Sequence, residues 1–239
     1  MTTEQVATPR PLRKDAARNR ELLIEAAREV FARRGLEASL DDVAHHAGLG
    51  VGTAYRHFAN KYELASALME QTIETIVNSA EQAMLVDDPW EGLVAFLEAS
   101  LVVQTADRGL REVLMGVHDP QKMAQVHDRL FGPISELLHR AQQSGAVRED
   151  ADATDLGFIN GMMCTVADMA GDSSPDLWRR YLTMCLDGLR PGGTAFPTAA
   201  LSEPEFRDAM ANHKHTLTRT TKDTSAGQDA PAKAATPAS

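Results

Sequence analysis

Apolar residues recur along most of this chain three and four positions apart, which is the spacing of amphipathic helices. Alternating runs rich in β-branched residues, which are typical of strands, are rare. The pattern therefore predicts an all-α protein. Long helices should begin near residues 13, 61, 90, 120, 150 and 175, shorter ones should cover residues 40–47, 51–58 and 109–117, and the helix from residue 120 should be interrupted or kinked at residues 132–133.

The stretch Ser39–Lys61 predicts two short helices joined by a tight turn and followed at once by a third helix. Ser39 can cap the first of them, and Asp42 three residues later completes the S-x-x-[DE] capping pattern. Gly48 suits the left-handed residue that ends a helix, and Gly50 can open the next one. Two further helix starts are marked in the same way by Asn60 with Glu63 and by Asp88 with Pro89.

The second short helix, Val51–Phe58, should bury one side and expose the other. Ala54 and Phe58 are four positions apart and should face inward. The remaining side of this helix carries no acidic residue, although the chain as a whole is acidic, and this favours a surface that faces phosphates. Its outward positions are Gly52, Thr53, Tyr55, Arg56 and His57.

Together with Arg20–Gly35, this stretch resembles the N-terminal domain of the tetracycline-repressor (TetR) family. The matching residues are Ala26, Ala27, Phe31, Gly35, the run Ser39–Ala44, Ala47, Gly48, Gly52, Thr53, the run Tyr55–Phe58 and Lys61. The resemblance implies a three-helix, helix-turn-helix head that binds DNA, followed by a helical domain for ligand binding and dimerisation.

The resemblance also implies roles for individual residues. Five residues occupy family positions that usually touch phosphates, namely Ser39, Thr53, Tyr55, His57 and Lys61. Gly52 is expected to let the backbone approach DNA closely. Arg56 is expected to contact a base or a phosphate, because a guanidinium can bind guanine with two hydrogen bonds. Arg13, Lys14 and Arg18 should follow the DNA backbone or enter the minor groove.

Three positions of the predicted head depart from the family pattern. Gly50 stands where the family often has a serine, so one phosphate-binding hydroxyl is missing. Val51 stands where many members present a polar, base-reading side chain, and valine could touch only a thymine methyl group. Ala54 replaces a frequent leucine, which should thin the packing under this helix.

The net charge of −10 is unusual for a DNA-binding protein, but the charge is unevenly distributed. Residues 1–65 hold ten lysines and arginines against nine acidic residues, whereas residues 66–239 hold fourteen against twenty-five. An acidic body behind a basic edge can orient such a protein on DNA. We expect a disordered basic arm (1–12), a helix-turn-helix domain (13–62), a regulatory and dimerisation domain (63–191) and a mostly disordered tail (192–239).

The second domain offers two sets of candidate site residues, both chosen from helix periodicity. Broad apolar stripes on the last two long helices should form the homodimer interface, as the resemblance implies, through Leu156, Ile159, Met163, Val166, Trp178, Tyr181, Leu182, Cys185 and Leu189. Large apolar groups of the middle helices, with isolated polar ones, should line an effector pocket formed by Trp90, Phe96, Leu97, Leu101, Met115, His118, Phe131, Leu138, Met162 and Met163.

Other functions find less support in the sequence. The chain has no G-x-S-x-G, phosphate-loop or H-E-x-x-H motif, and His118, His127 and His139 are too irregularly spaced for a metal site, so we expect neither catalysis nor a cofactor. The chain also has no apolar run long enough for a membrane span and no secretory signal. Its two cysteines lie in apolar helical segments and should be free, so a cytoplasmic location is expected.

These observations favour a transcriptional regulator, most simply a repressor, that binds palindromic operator DNA as a homodimer and is released by a small, largely apolar effector. Two alternatives remain open. An architectural DNA-binding protein would need no ligand cavity, and an all-helical enzyme would need a cluster of ionisable residues inside its second domain.

Overall fold

All regular secondary structure in the described residues is helical, as predicted. The computed structural model describes residues 11–106 and 120–210. Eight α-helices lie in the described residues up to residue 189: α1 (Pro11–Arg34), α2 (Leu40–His46), α3 (Val51–His57), α4 (Lys61–Met84), α5 (Pro89–Ala106), α6 (Pro120–Gln143), α7 (Ala153–Ala170) and α8 (Leu177–Leu189). Short 3-10 turns, Gly35–Glu37 and Gly171–Ser173, follow α1 and α7. The predicted helix over residues 109–117 lies outside the described residues.

The N-terminal core joins α1, α2, α3 and the first half of α4. Phe31 is fully buried at its centre, and Ala54 and Phe58 of α3 are buried beside it, as the spacing predicted. Because apolar side chains from four helices meet here, α3 is fixed against a rigid support. The members of this core are Leu23, Ile24, Ala26, Ala27, Val30, Phe31, Ala38, Leu40, Val43, Ala44, Ala54, Phe58, Leu64, Ala65 and Leu68.

The C-terminal core joins the second half of α4 with the later helices. Trp178 is its largest fully buried side chain. Its buried members are Ile76, Ala80, Ala83, Leu93, Phe96, Leu97, Leu101, Leu137, Leu138, Ala141, Val147, Ala151, Ala153, Leu156, Ile159, Met163, Trp178, Leu182, Leu186 and Leu189. Since α4 supplies residues to both cores, it is the structural connection between them.

The corner between α4 and α5 is tightly held. Asp88 caps α5 by accepting hydrogen bonds from the N–H groups of Trp90 and Glu91, at 2.8 and 3.1 Å. The two helices approach so closely at Gly92 that a Cβ atom there would lie 2.6 Å from the Ala83 carbonyl oxygen. From α6, Arg140 donates to the carbonyl groups of Met84, at the end of α4, and of Val86 and Asp87 in the turn that follows.

Three element boundaries differ from the sequence prediction. The first helix begins at Pro11, so residues 11 and 12 are helical and do not belong to a disordered arm. Of the two outcomes predicted for α6, an interruption or a kink, the interruption does not occur, since the helix continues through Pro133. Helix α7 begins at Ala153 because Asp152, rather than Asp150, caps it.

The beginning of the predicted tail (192–239) has no regular secondary structure up to residue 202, but it contacts the preceding domain. Arg148 donates to the Thr194 carbonyl oxygen at 2.8 Å, and its guanidinium carbon lies 3.7 Å from the centre of the Phe196 ring. Residues 201–210 belong to a second unit, in which residues 203–210 are helical. Residues 211–239 of the predicted tail lie outside the described residues.

Candidate functional site

A reciprocal cap fixes the start of α2, as predicted. The Ser39 hydroxyl accepts from the backbone N–H of Asp42 at 3.1 Å, and the Asp42 carboxylate accepts from the backbone N–H of Ser39 at 2.9 Å. Arg34 forms an ion pair with the same carboxylate at 2.8 Å. The hydrogen bonds from Ser39, followed by Arg34, hold the pKa of Asp42 well below its usual range.

The turn between α2 and α3 depends on glycine. Gly48 has a φ of +67°, in the left-handed region where a side chain is strained, so α2 ends there as predicted. Leu49 is half-buried and packs against the N-terminal core. Gly50 occupies the N-cap of α3, and its carbonyl oxygen accepts from the Thr53 N–H at 2.8 Å. Because Gly50 has no side chain, α3 has no side-chain cap.

The outward face of α3 is polar and free of acidic side chains. Gly52, Tyr55 and Arg56 are exposed, whereas Thr53 and His57 are half-buried, as is Val51 in the first turn. The Arg56 Nε donates to the Gly52 carbonyl oxygen at 3.1 Å, which folds this side chain back along the helix.

One acidic side chain nevertheless reaches this face from the neighbouring helix. Asp41 of α2 hydrogen-bonds the Tyr55 hydroxyl, and this contact raises the pKa of Tyr55. Sequence reasoning missed Asp41, because the composition of α3 alone does not reveal which residue of α2 packs beside it. The hydroxyl predicted to touch a phosphate is therefore already engaged within the protein.

The other predicted DNA contacts lie on two helices, α1 and α4. Lys61 is in the first turn of α4, where Asn60 caps the helix and the Lys61 ammonium lies 5.6 Å from the centre of the Tyr62 ring. Lys14 and Arg18 are exposed on α1, and Arg13 belongs to the same helix. Arg20, which the sequence reasoning did not nominate, places its guanidinium 5.3 Å from the centre of the Phe58 ring, just after α3.

Comparison with known proteins identifies the family. Residues 23–68 match the family model for bacterial regulatory proteins of the tetR family, and residues 88–191 match the C-terminal domain of SbtR-like transcriptional regulators. A TetR transcription regulatory protein from Mycobacterium vanbaalenii is 32% identical; the match covers 75% of this chain and 99% of that one, with a TM-score of 0.59. The chain belongs to the TetR family. It is a transcriptional regulator, and α2 and α3 are its DNA-binding helix-turn-helix.

Two further TetR-type relatives extend this comparison. The HTH-type transcriptional regulator SrpR of Pseudomonas putida is 27% identical over 156 residues, which are 62% of this chain and 73% of SrpR. The SmeT–triclosan complex has the same fold, at 23% identity and a TM-score of 0.55, covering 77% of this chain and 98% of SmeT. No helix in the described part of the chain is long and apolar enough to cross a membrane.

Most of the predicted pocket residues lie in the C-terminal core. Buried there are Phe96, Leu97, Leu101, Leu138 and Met163. At its edge, Trp90 lies under the Arg190 guanidinium and Phe131 stacks on His127, with ring centres 5.1 Å apart. Met162 does not join this group, because 48% of it is exposed on another side of α7. Met115 and His118 lie outside the described residues.

A polar cluster between α5 and α7 was not predicted as a unit. The side-chain amides of Gln104 and Asn160 both donate to the Ser100 hydroxyl oxygen, at 2.8 and 3.4 Å. Ser100 is only 2% exposed, and the Cys164 thiol lies 3.9 Å from the Asn160 carbonyl oxygen. All four side chains are uncharged or weakly polar, so the cluster suits neutral hydrogen-bonding groups better than ions. In the sequence, Ser100 follows Phe96 and Leu97 at helical spacing on the buried side of α5. This spacing is the sequence feature from which the cluster could have been predicted.

The structure places most of the predicted dimer-interface residues in the C-terminal core, where they pack within the chain: Leu156, Ile159, Met163, Trp178, Leu182 and Leu189. The periodicity identified the most apolar side of each helix, which packs inside the same chain. Tyr181 is exposed, and Val166 and Cys185 are half-buried. The large apolar side chains that α7 and α8 expose are Met162 (48%), Met169 (84%), Tyr181 (40%) and Met184 (62%).

Proposed function

We propose that this TetR-family regulator is a ligand-responsive repressor, which binds palindromic operator DNA as a homodimer and is released by a small, largely apolar effector. The observation that carries the DNA-binding part is the outward face of α3, where exposed Gly52 would accept a Cβ atom with no protein atom within 4 Å. Neither packing nor backbone conformation requires glycine there. A glycine inside a helix costs about 1 kcal/mol relative to alanine, and on this outward face its missing side chain leaves room for the close approach of DNA.

On DNA, α3 lies in the major groove and the other candidates contact the backbone around it. Lys14, Arg18 and Lys61 neutralise phosphates through their ammonium and guanidinium groups, and Arg13 does so from the same helix as Arg18. Ser39, Thr53 and His57 add hydrogen bonds to phosphate oxygens. Tyr55 reaches a phosphate only by sharing or leaving its bond to Asp41.

The homodimer forms through the exposed sides of α7 and α8. Four large apolar side chains there are partly or mostly exposed in one protomer, including Met169 and Met184. An isologous contact between two copies would bury the same side chains twice, and apolar burial stabilises association by about 25 cal/mol per Å². Two heads held in this way can bind the two halves of a palindrome.

The effector binds near the Ser100 cluster, between α5 and α7. Apolar residues of the C-terminal core, such as Leu97 and Leu101, surround uncharged donors and acceptors on Ser100, Gln104 and Asn160. A largely apolar compound with one or two hydrogen-bonding groups suits such a site. SmeT, which has the same fold, forms a complex with triclosan. Release from DNA follows by linkage if the effector prefers a conformation that fits the operator poorly.

The DNA-binding proposal is tested by selecting an operator from a random double-stranded DNA library and measuring affinity by fluorescence anisotropy. The wild type should enrich a palindrome. Lys61→Ala and Arg56→Ala should each weaken binding, and Lys61→Ala should also reduce the salt slope by about one. Arg207→Ala removes the same charge from an exposed site in the second unit and should change little. Operator binding that survives the double change at positions 56 and 61 at moderate salt contradicts the assignment.

The sensing proposal is tested with the same operator complex. A screen of hydrophobic compounds should find at least one that raises the melting temperature of the free protein and also releases it from DNA. A compound that does both should lose its effect in Ser100→Val, which removes the hydroxyl at the centre of the cluster. If no compound in a broad screen does either, the architectural alternative is favoured.

A further inference from the structure

Arg56 is the only cationic residue besides a histidine in α3, whose sequence is VGTAYRH. It is exposed, and it is also the only side chain of this helix that carries several N–H donors in one plane. Tyr55 is engaged by Asp41, and His57 is half-buried at the C-terminal end. Among the residues of α3, Arg56 is therefore best equipped to recognise a base with two hydrogen bonds.

The position of the Arg56 side chain is set by one hydrogen bond. Its Nε donates to the carbonyl oxygen of Gly52, one turn earlier, at 3.1 Å. The side chain therefore runs towards the N-terminus of α3, as long helical side chains tend to do. Because Nε is used within the protein, the two terminal nitrogens, Nη1 and Nη2, form the end that is presented outward.

The same turn of α3 is open to a close approach. Gly52 is exposed, and a Cβ atom built there would contact nothing within 4 Å. In helix-turn-helix proteins, the N-terminal part of the recognition helix is the part that contacts base edges. The bond to Gly52 thus carries the guanidinium from the C-terminal half of α3 towards the end that meets the bases, instead of letting it extend sideways to a phosphate.

We propose that Arg56 reads one guanine in each operator half-site, with Nη1 and Nη2 donating to the O6 and N7 atoms of the base while Nε stays bonded to the Gly52 carbonyl. Guanine is the base that offers two adjacent acceptors in the major groove, so it matches this pair of donors. The inference rests on the proposed operator binding and adds the base that is recognised and the residue that recognises it.

The test compares binding-site selections from a random DNA library for the wild type, Arg56→Ala, Arg56→Lys and Lys61→Ala. The wild-type consensus should contain one guanine per half-site whose preference disappears in Arg56→Ala while the other positions are kept. Arg56→Lys keeps the charge but lacks the paired donors, so its preference at that position should also weaken. Lys61→Ala should weaken binding and leave the consensus unchanged.

A direct measurement then isolates the single base. Replacing that guanine–cytosine pair by adenine–thymine should weaken wild-type binding about tenfold to a hundredfold and leave Arg56→Ala binding unchanged. If Arg56→Ala weakens binding to all sequences equally, Arg56 contacts a phosphate and the proposal is overturned. An unchanged consensus in Arg56→Ala overturns it as well. A wild type that enriches no sequence overturns operator binding itself, and the guanine contact with it.

Discussion

At the scale of single residues, the half-buried carboxylate of Asp42 takes part in three attractive interactions. It accepts from the backbone and hydroxyl of Ser39, and it pairs with Arg34 of the preceding helix. All three favour the ionised form, so the pKa of Asp42 is lower in the folded protein than its ordinary value of 3.8. The stabilisation from Asp42 is therefore fully present above about pH 4 to 5 and is lost as the pH falls below that range.

Asp42→Asn should lower the free energy of unfolding at neutral pH and make it decline less steeply between about pH 5 and pH 2. The measurement is urea unfolding followed by circular dichroism at a series of pH values. Glu74→Gln, at an exposed position of α4, removes one carboxylate without such contacts and serves as the control. If the free energy of unfolding declines equally steeply with falling pH in Asp42→Asn and in the wild type, Asp42 contributes no pH-dependent stability.

At the scale of helices, two glycines inside α3 and α5 have opposite surroundings. A Cβ atom at Gly52 would meet open space, whereas one at Gly92 would press on the Ala83 carbonyl oxygen at 2.6 Å. Alanine is the better helix former at both positions. The same substitution should therefore have opposite effects on stability at the two sites.

Gly52→Ala should stabilise the free protein by up to about 1 kcal/mol, because alanine replaces glycine in a helix without any clash. It should also weaken operator binding, since a methyl group would stand on the face that approaches DNA. Urea unfolding and fluorescence anisotropy measure the two effects. Stabilisation without any loss of affinity would mean that this face of α3 does not lie against DNA.

Gly92→Ala should destabilise the protein by about 1–3 kcal/mol, because a backbone carbonyl cannot move aside unless α4 and α5 separate. Urea unfolding of this variant beside Gly52→Ala is the appropriate comparison, since the two changes are chemically identical. A stabilised Gly92→Ala protein would contradict the close approach of the two helices.

The starts of the helices were predictable from sequence because caps are local. Ser39, Asn60 and Asp88 act within three residues of their own helix, and all three cap as expected. The continuity of α6 through Pro133 was not predictable, because it depends on packing that a proline rule does not include. The contact between Asp41 and Tyr55 was missed for the same reason, since it joins two helices.

At the scale of the whole molecule, the family and the division into two cores followed from the sequence, whereas most residues of the predicted dimer face lie in the C-terminal core. The apolar stripes on α7 and α8 were real, and they pack inside the protomer through residues such as Leu156 and Trp178. An intramolecular core and a partner interface use the same residue types. Helical periodicity alone cannot distinguish the two, whereas the exposure of Met169 and Met184 shows that these side chains lie outside the core.

Met184→Glu should therefore convert a dimer into a monomer at micromolar concentration. In an isologous interface the new carboxylate appears twice, and each copy would lose water without gaining a partner. Analytical ultracentrifugation gives the mass. Leu85→Glu changes a side chain that is 75% exposed at the end of α4 and is the matched control. A Met184→Glu protein that keeps the mass of a dimer would place the interface elsewhere.

Because α4 belongs to both cores, it restricts how proteins with this fold can exchange their N-terminal and C-terminal domains during evolution. Leu68 is the last residue of α4 in the N-terminal core, and Ile76 is its first in the C-terminal core. A recombination joint between them would keep both cores intact, but only if the helix keeps its length. One inserted residue would rotate one core relative to the other by about 100° around the axis of α4 and shift it by about 1.5 Å along that axis. Helix α4 thus fixes the rotation of the C-terminal core relative to the N-terminal core, and a different N-terminal domain can be joined only if the helix keeps its length.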